Sequence, residues 1–337
     1  MRALLARYPT LAASLDRIDL GVRETPVEWW RVDGVTLLAK REDVSAPSPG
    51  GNKVRALELL LAGVRPGRIL LTVGSSGSTH ALAVAEHGAR FGAHTQVITW
   101  PQETHAIADA TSARLSAIAA VTAARSVAEA YLRAAVRRLR GGMHWVPAGG
   151  SVPLGVLGHV SAALELVEQI VRLHVREPVQ LIVPLGTGGT AAGILVGLAL
   201  AGSSMRVVGV RVVPRVVANR ARVLRLASRT HALLGRLAGV VLPPLDASRL
   251  EVEQSAYGGA YGRESAEARS AADALRDAGG PRLDGTYSAK AFGVALARAR
   301  RAPDERVLFW LTFDGRWLLR GNDVPTTTRP CPSPHST

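Results

Sequence analysis

A chain of 337 residues with 47 % hydrophobic and 20 % charged side chains is too long for one ordinary core and too apolar for wholesale disorder, so about two globular domains are expected. One cysteine, Cys331, in a polar end excludes a disulfide framework and a thiolate zinc site. Arg2, Arg7, Asp16 and Arg17 interrupt the first stretch, so no signal-peptide core is expected and the protein reads as cytoplasmic.

The formal charge of +14 comes from 41 Lys+Arg against 27 Asp+Glu. The arginines are scattered or lie on helical patterns, and aromatics are only 4 %, so the interleaved cations and stacking rings of a nucleic-acid binder are missing. Solvated helix faces are expected, with no nucleic-acid partner. Only three of the basic residues are lysine: Lys40, Lys53 and Lys290. A chain that otherwise uses arginine keeps lysine where a compact, deprotonatable amine is needed, which makes each of the three a candidate for chemistry.

In chain order, apolar β-type runs at 36–40, 69–73, 96–100, 143–147, 180–184, 207–213 and 307–312 alternate with helical patterns at 53–62, 79–91, 104–115, 126–139, 154–173, 189–200, 216–234, 265–276 and 289–299. The alternation predicts an α/β protein with mostly parallel sheets flanked by helices. A disordered tail is predicted at 323–337. Residues 179–205 carry no charge, yet Pro184 and the turn at 186–190 divide them into strand and helix. A buried βα unit is expected there, with Gly193 and Gly197 as packing positions and no membrane span.

Two local patterns carry chemistry. Gly186-Thr187-Gly188-Gly189-Thr190 follows a strand and opens a helix, so backbone N–H groups converge on an anion, and a phosphate is the natural guest. Gly186-x-Gly188-x-x-Ala191 also meets a relaxed dinucleotide fingerprint. Between Glu177 and Asp246, however, no acid is available for a ribose. An NADP-binding oxidoreductase using Arg211 is kept as an alternative. In Gly50-Gly51-Asn52-Lys53, a lysine stands at a helix start, where the dipole favours the neutral amine that Schiff-base chemistry requires. His80, His87 and His94 recur every seven residues, too far apart for a helical metal pair, so no metal is expected. The tryptophans are expected as core or interface anchors.

These residues resemble a known family. Arg41-Glu42-Asp43 followed by Gly50-Gly51-Asn52-Lys53, with Arg55 and Glu58, is similar to the lysine region of the pyridoxal-phosphate-dependent D-cysteine desulfhydrase and 1-aminocyclopropane-1-carboxylate deaminase group. These are fold-type-II, tryptophan-synthase-β-like enzymes. Gly74-Ser75-Ser76-Gly77-Ser78-Thr79-His80, Gly149-Gly150-Ser151, the turn at 186–190, Tyr261-Gly262 and Tyr287-Ser288-Ala289-Lys290 follow in the family's order. The resemblance spans residues 26–315 and implies pyridoxal 5'-phosphate as cofactor.

The resemblance further implies a large cofactor-binding domain (1–55 and 161–322) with a smaller inserted domain (56–160), and a homodimer. The implied catalytic residues are Lys53, Ser78, Tyr261 and Tyr287. Lys53, Asn52, Thr79, Gly186, Thr187, Gly188, Gly189, Thr190 and Ser288 would bind cofactor, with Ser288 at the pyridine nitrogen. Ser78, Thr79, His80 and Tyr261 would meet the substrate. Thr79 replaces the family's Asn, Leu82 an Arg, and Leu311-Thr312-Phe313-Asp314 its His-Thr-Gly-Gly. A serine where the deaminase branch carries Glu leaves the pyridine nitrogen closer to unprotonated. The expectation is therefore α,β-elimination or deamination of a small amino acid, as in a D-cysteine desulfhydrase-like lyase. The alternatives are cyclopropane deamination, β-replacement and an inert cofactor-binding protein.

Overall fold

The computed structural model describes residues 1–103 and 105–316. Two short helices, α1 (Arg2–Arg7) and α2 (Leu11–Ser14), precede the hairpin β1 (Val27–Val32) and β2 (Val35–Arg41). The sequence reading places no strand at β1. Asp33 and Gly34, both at positive φ, make the tight turn that pairs it with β2. Next come α3 (Lys53–Leu60), β3 (Ile69–Ser75), α4 (Thr79–Arg90), β4 (His94–Trp100), α5 (Ala106–Ile118), β5 (Ala120–Ala123), α6 (Val127–Leu139) and β6 (Met143–Val146). The chain continues through α7 (Pro153–Arg172), β7 (Gln180–Leu185), α8 (Gly189–Ala201), β8 (Arg206–Arg211), α9 (Arg220–Ala238), β9 (Leu250–Glu253), α10 (Ala266–Asp277), α11 (Ser288–Arg301) and β10 (Val307–Leu311).

The strands form two sheets. One has the order β1-β2-β10-β7-β8-β9, parallel except for the β1–β2 hairpin; the other is wholly parallel with the order β5-β4-β3-β6. The α/β expectation therefore holds, with three strands unforeseen: β1, β5 and β9. The last two are four-residue edge strands, too short to show a period. Helix α9 starts at Arg220 rather than at 216, because Asn219 caps it by accepting the Arg222 N–H at 3.0 Å. The start of the helix expected at 104–115 and the tail expected at 323–337 touch residues outside those described.

The uncharged stretch divides as expected into β7 and α8. Both are buried, and Gly193 and Gly197 lie against His159 and Ala163 of α7. One helix among the described residues, α7, is long and apolar enough to cross a membrane, and most of it is buried in the protein interior.

Beneath the junction of the sheets lies a buried ionic cluster. Lys40 Nζ donates to Glu165 (2.6 Å), Gln169 (2.6 Å) and the Thr25 carbonyl (2.9 Å). Arg55 forks onto Glu42 at 2.6 and 2.7 Å and onto Glu165 at 3.0 Å. Burial alone would raise the Glu165 pKa, but Arg55 and Lys40 hold it at about 2. Lys40 is therefore a structural cation. Glu165→Ala takes from Lys40 its ion-pair partner and from Arg55 one of its two, and is expected to cost about 3–5 kcal/mol, read as a fall in the denaturant midpoint at unchanged m-value. An unchanged midpoint would show that the cluster is not a stabilising unit.

Candidate active site

Residues that follow the carboxyl ends of β3, β4, β6, β7, β8 and β10 converge on one cavity of about 620 Å³. Open parallel sheets offer ligands this position, because the loops there are free to diverge while the strands stay fixed. Lys53 lines it, placed at the first position of α3 by the turn before it. At Gly51 (φ 54°) a Cβ would strike the Thr312 carbonyl, and that carbonyl accepts the Asn52 N–H at 3.3 Å. The turn is thus pinned to the end of β10. Burial lowers the Lys53 pKa, with Asp284 opposing it. Lys40 lies in the ionic cluster, and the Lys290 amine donates to the Tyr257 carbonyl at 3.0 Å. Of the three lysines, only Lys53 lines the cavity.

The glycine-rich turn adjoins the lysine turn through Asn52 and Thr190. Gly188 (φ 92°) caps α8, whose first turn holds no acid, so its free N–H groups and dipole favour an anion. Hydroxyls surround it. Ser151 Oγ accepts the Gly189 N–H at 3.2 Å and lies 2.5 Å from the Thr187 hydroxyl, while Asn52 Nδ2 donates to Thr190 at 2.8 Å. The Asn52 Oδ1 is buried without a partner. A cradle of backbone donors and an unpaired buried acceptor fit a phosphate-bearing cofactor joined to Lys53.

Ser78 caps α4, its hydroxyl accepting the Ala81 N–H at 3.2 Å, and Ser78, Thr79 and His80 all line the cavity. Burial, then the charge of Lys53, pushes His80 down to about 3; it is neutral at working pH and brings no cation to a carboxylate. The Tyr261 and Tyr287 hydroxyls lie 2.6 Å apart, with Ser75 at 3.4 Å from Tyr261. Burial raises both phenol pKa values. Lys53 Nζ sits 6.0 Å from the Tyr287 ring centre.

Ser288 is the expected site residue that the structure does not bring to the cavity. It is fully buried, its hydroxyl has no partner, and it is not part of the wall. Asp284 accepts the N–H groups of Tyr287 and Ser288 at 2.7 and 3.0 Å, which fixes the backbone so that the tyrosine ring takes the cavity side. Thr312, after β10, is among the hydroxyl side chains that line the wall. Ser75 and Ser151, named in the sequence only within motifs, are wall residues, as is His159, which no motif names; Ser75 and Thr312 end or follow parallel strands, a signal available in the sequence.

The NADP alternative loses its arginine. Arg211 packs 4.8 Å over the Tyr257 ring, donates to the Val213 carbonyl, and is not part of the wall. His80 and His87 lie on α4 and His94 on β4; among the described residues no cluster of metal-ligand type occurs.

A family model described as pyridoxal-phosphate dependent enzyme matches residues 18–312. The chain belongs to that family. It is 36 % identical over 308 residues to the nocardicin C-9' epimerase of Nocardia uniformis subsp. tsuyamanensis, covering 86 % of this chain and 91 % of that one. It is 31 % identical over 318 residues to the D-cysteine desulfhydrase of Serratia proteamaculans, covering 88 % and 93 %. Among solved structures, an ACC deaminase homologue superposes with a TM-score of 0.75 at 24 % identity, covering 95 % of this chain and 99 % of the other, a likeness of fold.

For this pyridoxal-phosphate enzyme the lowered lysine pKa has a definite sign. A lower pKa leaves more neutral amine at a given pH. Uptake of pyridoxal phosphate by cofactor-free protein should rise with pH and level off well below the ordinary lysine value of 10.5. A rate still climbing at that value would mark Lys53 as an ordinary surface amine.

Proposed function

We propose that the protein is a pyridoxal-phosphate-dependent lyase that removes the α-proton and a β-substituent from an amino acid, in the manner of a D-cysteine desulfhydrase. The observation that carries this reading is the placement of Lys53, the one cavity lysine, on the wall of the same cavity as the phosphate-type cradle at the start of α8. Pyridoxal phosphate, when bound, withdraws electrons from the bonds at the α-carbon.

The residues supply the rest. Lys53, whose pKa burial lowers toward the neutral amine, attaches the cofactor and then moves the α-proton. The start of α4, with Ser78 and Thr79, receives the substrate carboxylate through N–H groups and the helix dipole. Neutral His80 adds a hydrogen-bonding ring there without charge. Tyr261 and Tyr287, whose raised pKa values keep them protonated, are donors for a departing β-group rather than anionic bases. Thr312 on the wall and Ser288 behind it bear hydroxyls, which would not hold the cofactor's pyridine nitrogen charged as a carboxylate would.

D-Cysteine or β-chloroalanine should therefore be turned over faster than 1-aminocyclopropane-1-carboxylate, measured as carbonyl product and ammonia. Faster turnover of the cyclopropane would overturn elimination as the reaction. A second reading, epimerisation at the α-carbon, is favoured by the 36 % identity to an epimerase along 91 % of its length. Chiral chromatography after incubation separates the two: inversion without carbonyl product selects epimerisation. The same proposal includes a homodimer, which sedimentation tests.

A further inference from the structure

The cavity continues outward past the tyrosines, and its wall changes character. Between α6 and the segment leading into α9, it is lined by Trp100, Val127, Tyr131, Val216, Val217 and Arg222. Trp100 and Tyr131 stack, ring centres 6.2 Å apart and planes 24° from parallel. Val127, Tyr131 and Val216 stay 43, 44 and 73 % exposed. Apolar side chains are driven under cover wherever packing allows, and here several are left open together on the wall of the active cavity. Continuity with the active site makes their cover a part of the substrate, one that extends beyond the β-carbon.

The polar end of that part is set by Arg222. It lies in the first turn of α9 and donates one bond, to the Val216 carbonyl at 3.1 Å. Arg222, Trp100 and Tyr131 line the same cavity, and the arginine's charge opposes the rise that burial gives the Tyr131 pKa. No acidic side chain lines the cavity among the described residues. A planar guanidinium with donors to spare, at the edge of an apolar, aromatic-walled chamber, selects a carboxylate-type anion.

We propose that this outer chamber is a side-chain subsite, and that the enzyme acts on amino acids whose side chain carries an aryl group ending in an anion, the ring on Trp100 and Tyr131 and the anion on Arg222. The proposal rests on the reading above, that the α-carbon is handled at Lys53. An aromatic contact of this kind changes binding by roughly twofold to tenfold and one partly exposed ion pair by up to about fivefold.

The test is α-proton exchange in D₂O, followed by NMR on the holoenzyme with both enantiomers of alanine, phenylalanine and 4-carboxyphenylalanine. KM should fall in that order, with 4-carboxyphenylalanine about tenfold or more below alanine. Arg222→Gln should erase the advantage of 4-carboxyphenylalanine over phenylalanine, and Arg222→Lys should keep most of it. Tyr131→Ala should raise KM for both aryl substrates relative to alanine. Alanine exchanging with an equal or lower KM than the aryl substrates, or a ratio untouched by Arg222→Gln, overturns the subsite and leaves the amino-acid reading standing. A coloured holoenzyme that exchanges none of the three and turns over neither D-cysteine nor β-chloroalanine overturns the amino-acid reading itself.

Discussion

Lys53→Ala should lower turnover of D-cysteine by about 10³-fold or more, the size expected when one residue supplies both covalent attachment and proton transfer. The wild type, reduced with borohydride in the presence of pyridoxal phosphate, should carry its label on the peptide containing Lys53 and nowhere else. The other two lysines serve as internal comparisons because their amines are committed elsewhere. Lys40 is locked between Glu165, Gln169 and the Thr25 carbonyl. Lys290 is turned toward the Tyr257 carbonyl. Lys290→Met should retain the label and most of the activity. Label on Lys290 or Lys40, or a Lys53→Ala protein with near-normal turnover, would move the cofactor to a different amine.

The scarcity of lysine pointed to three candidates, and the glycine turn singled out Lys53. What kept the other two from being dismissed in the sequence is separation along the chain. The Glu165 that holds Lys40 lies 125 residues away, and no local pattern announces such a partner. The βα unit of β7 and α8 was legible because burial on both faces removes every charge from it and its turn is dense in glycine. β1 was not, since its residues are half-buried for most of its length and its pairing depends on the Asp33-Gly34 turn. At the site, Tyr287 and Ser288 are neighbours in sequence, yet successive residues entering a helix point about 100° apart. Here Tyr287 takes the cavity wall and Ser288 lies buried behind it, with Asp284 holding the backbone of both.

Gly188→Val should abolish retention of pyridoxal phosphate on dialysis while the protein still folds. Gly188 sits at φ 92° as the cap of α8, a conformation that costs a β-branched residue about 1–3 kcal/mol. Its Cβ would meet the Val223 side chain at 3.2 Å and Leu185 at an ordinary 3.9 Å, so the crowding is modest and the strain falls on the backbone itself. The chain relieves that strain by rotating the peptide units on either side, and those units carry the N–H groups that open α8. Rotated, they no longer converge on one anion, and the phosphate loses its donors together. The loss should appear in cofactor affinity first, with the thermal midpoint of the cofactor-free protein lowered by only a few degrees. Gly188→Ala should fall between the wild type and the valine variant, since it pays the positive-φ cost without the branch. If the valine variant keeps pyridoxal phosphate with unchanged affinity, the phosphate does not sit at this turn; tight NADPH binding by the wild type would assign the same donors to a dinucleotide.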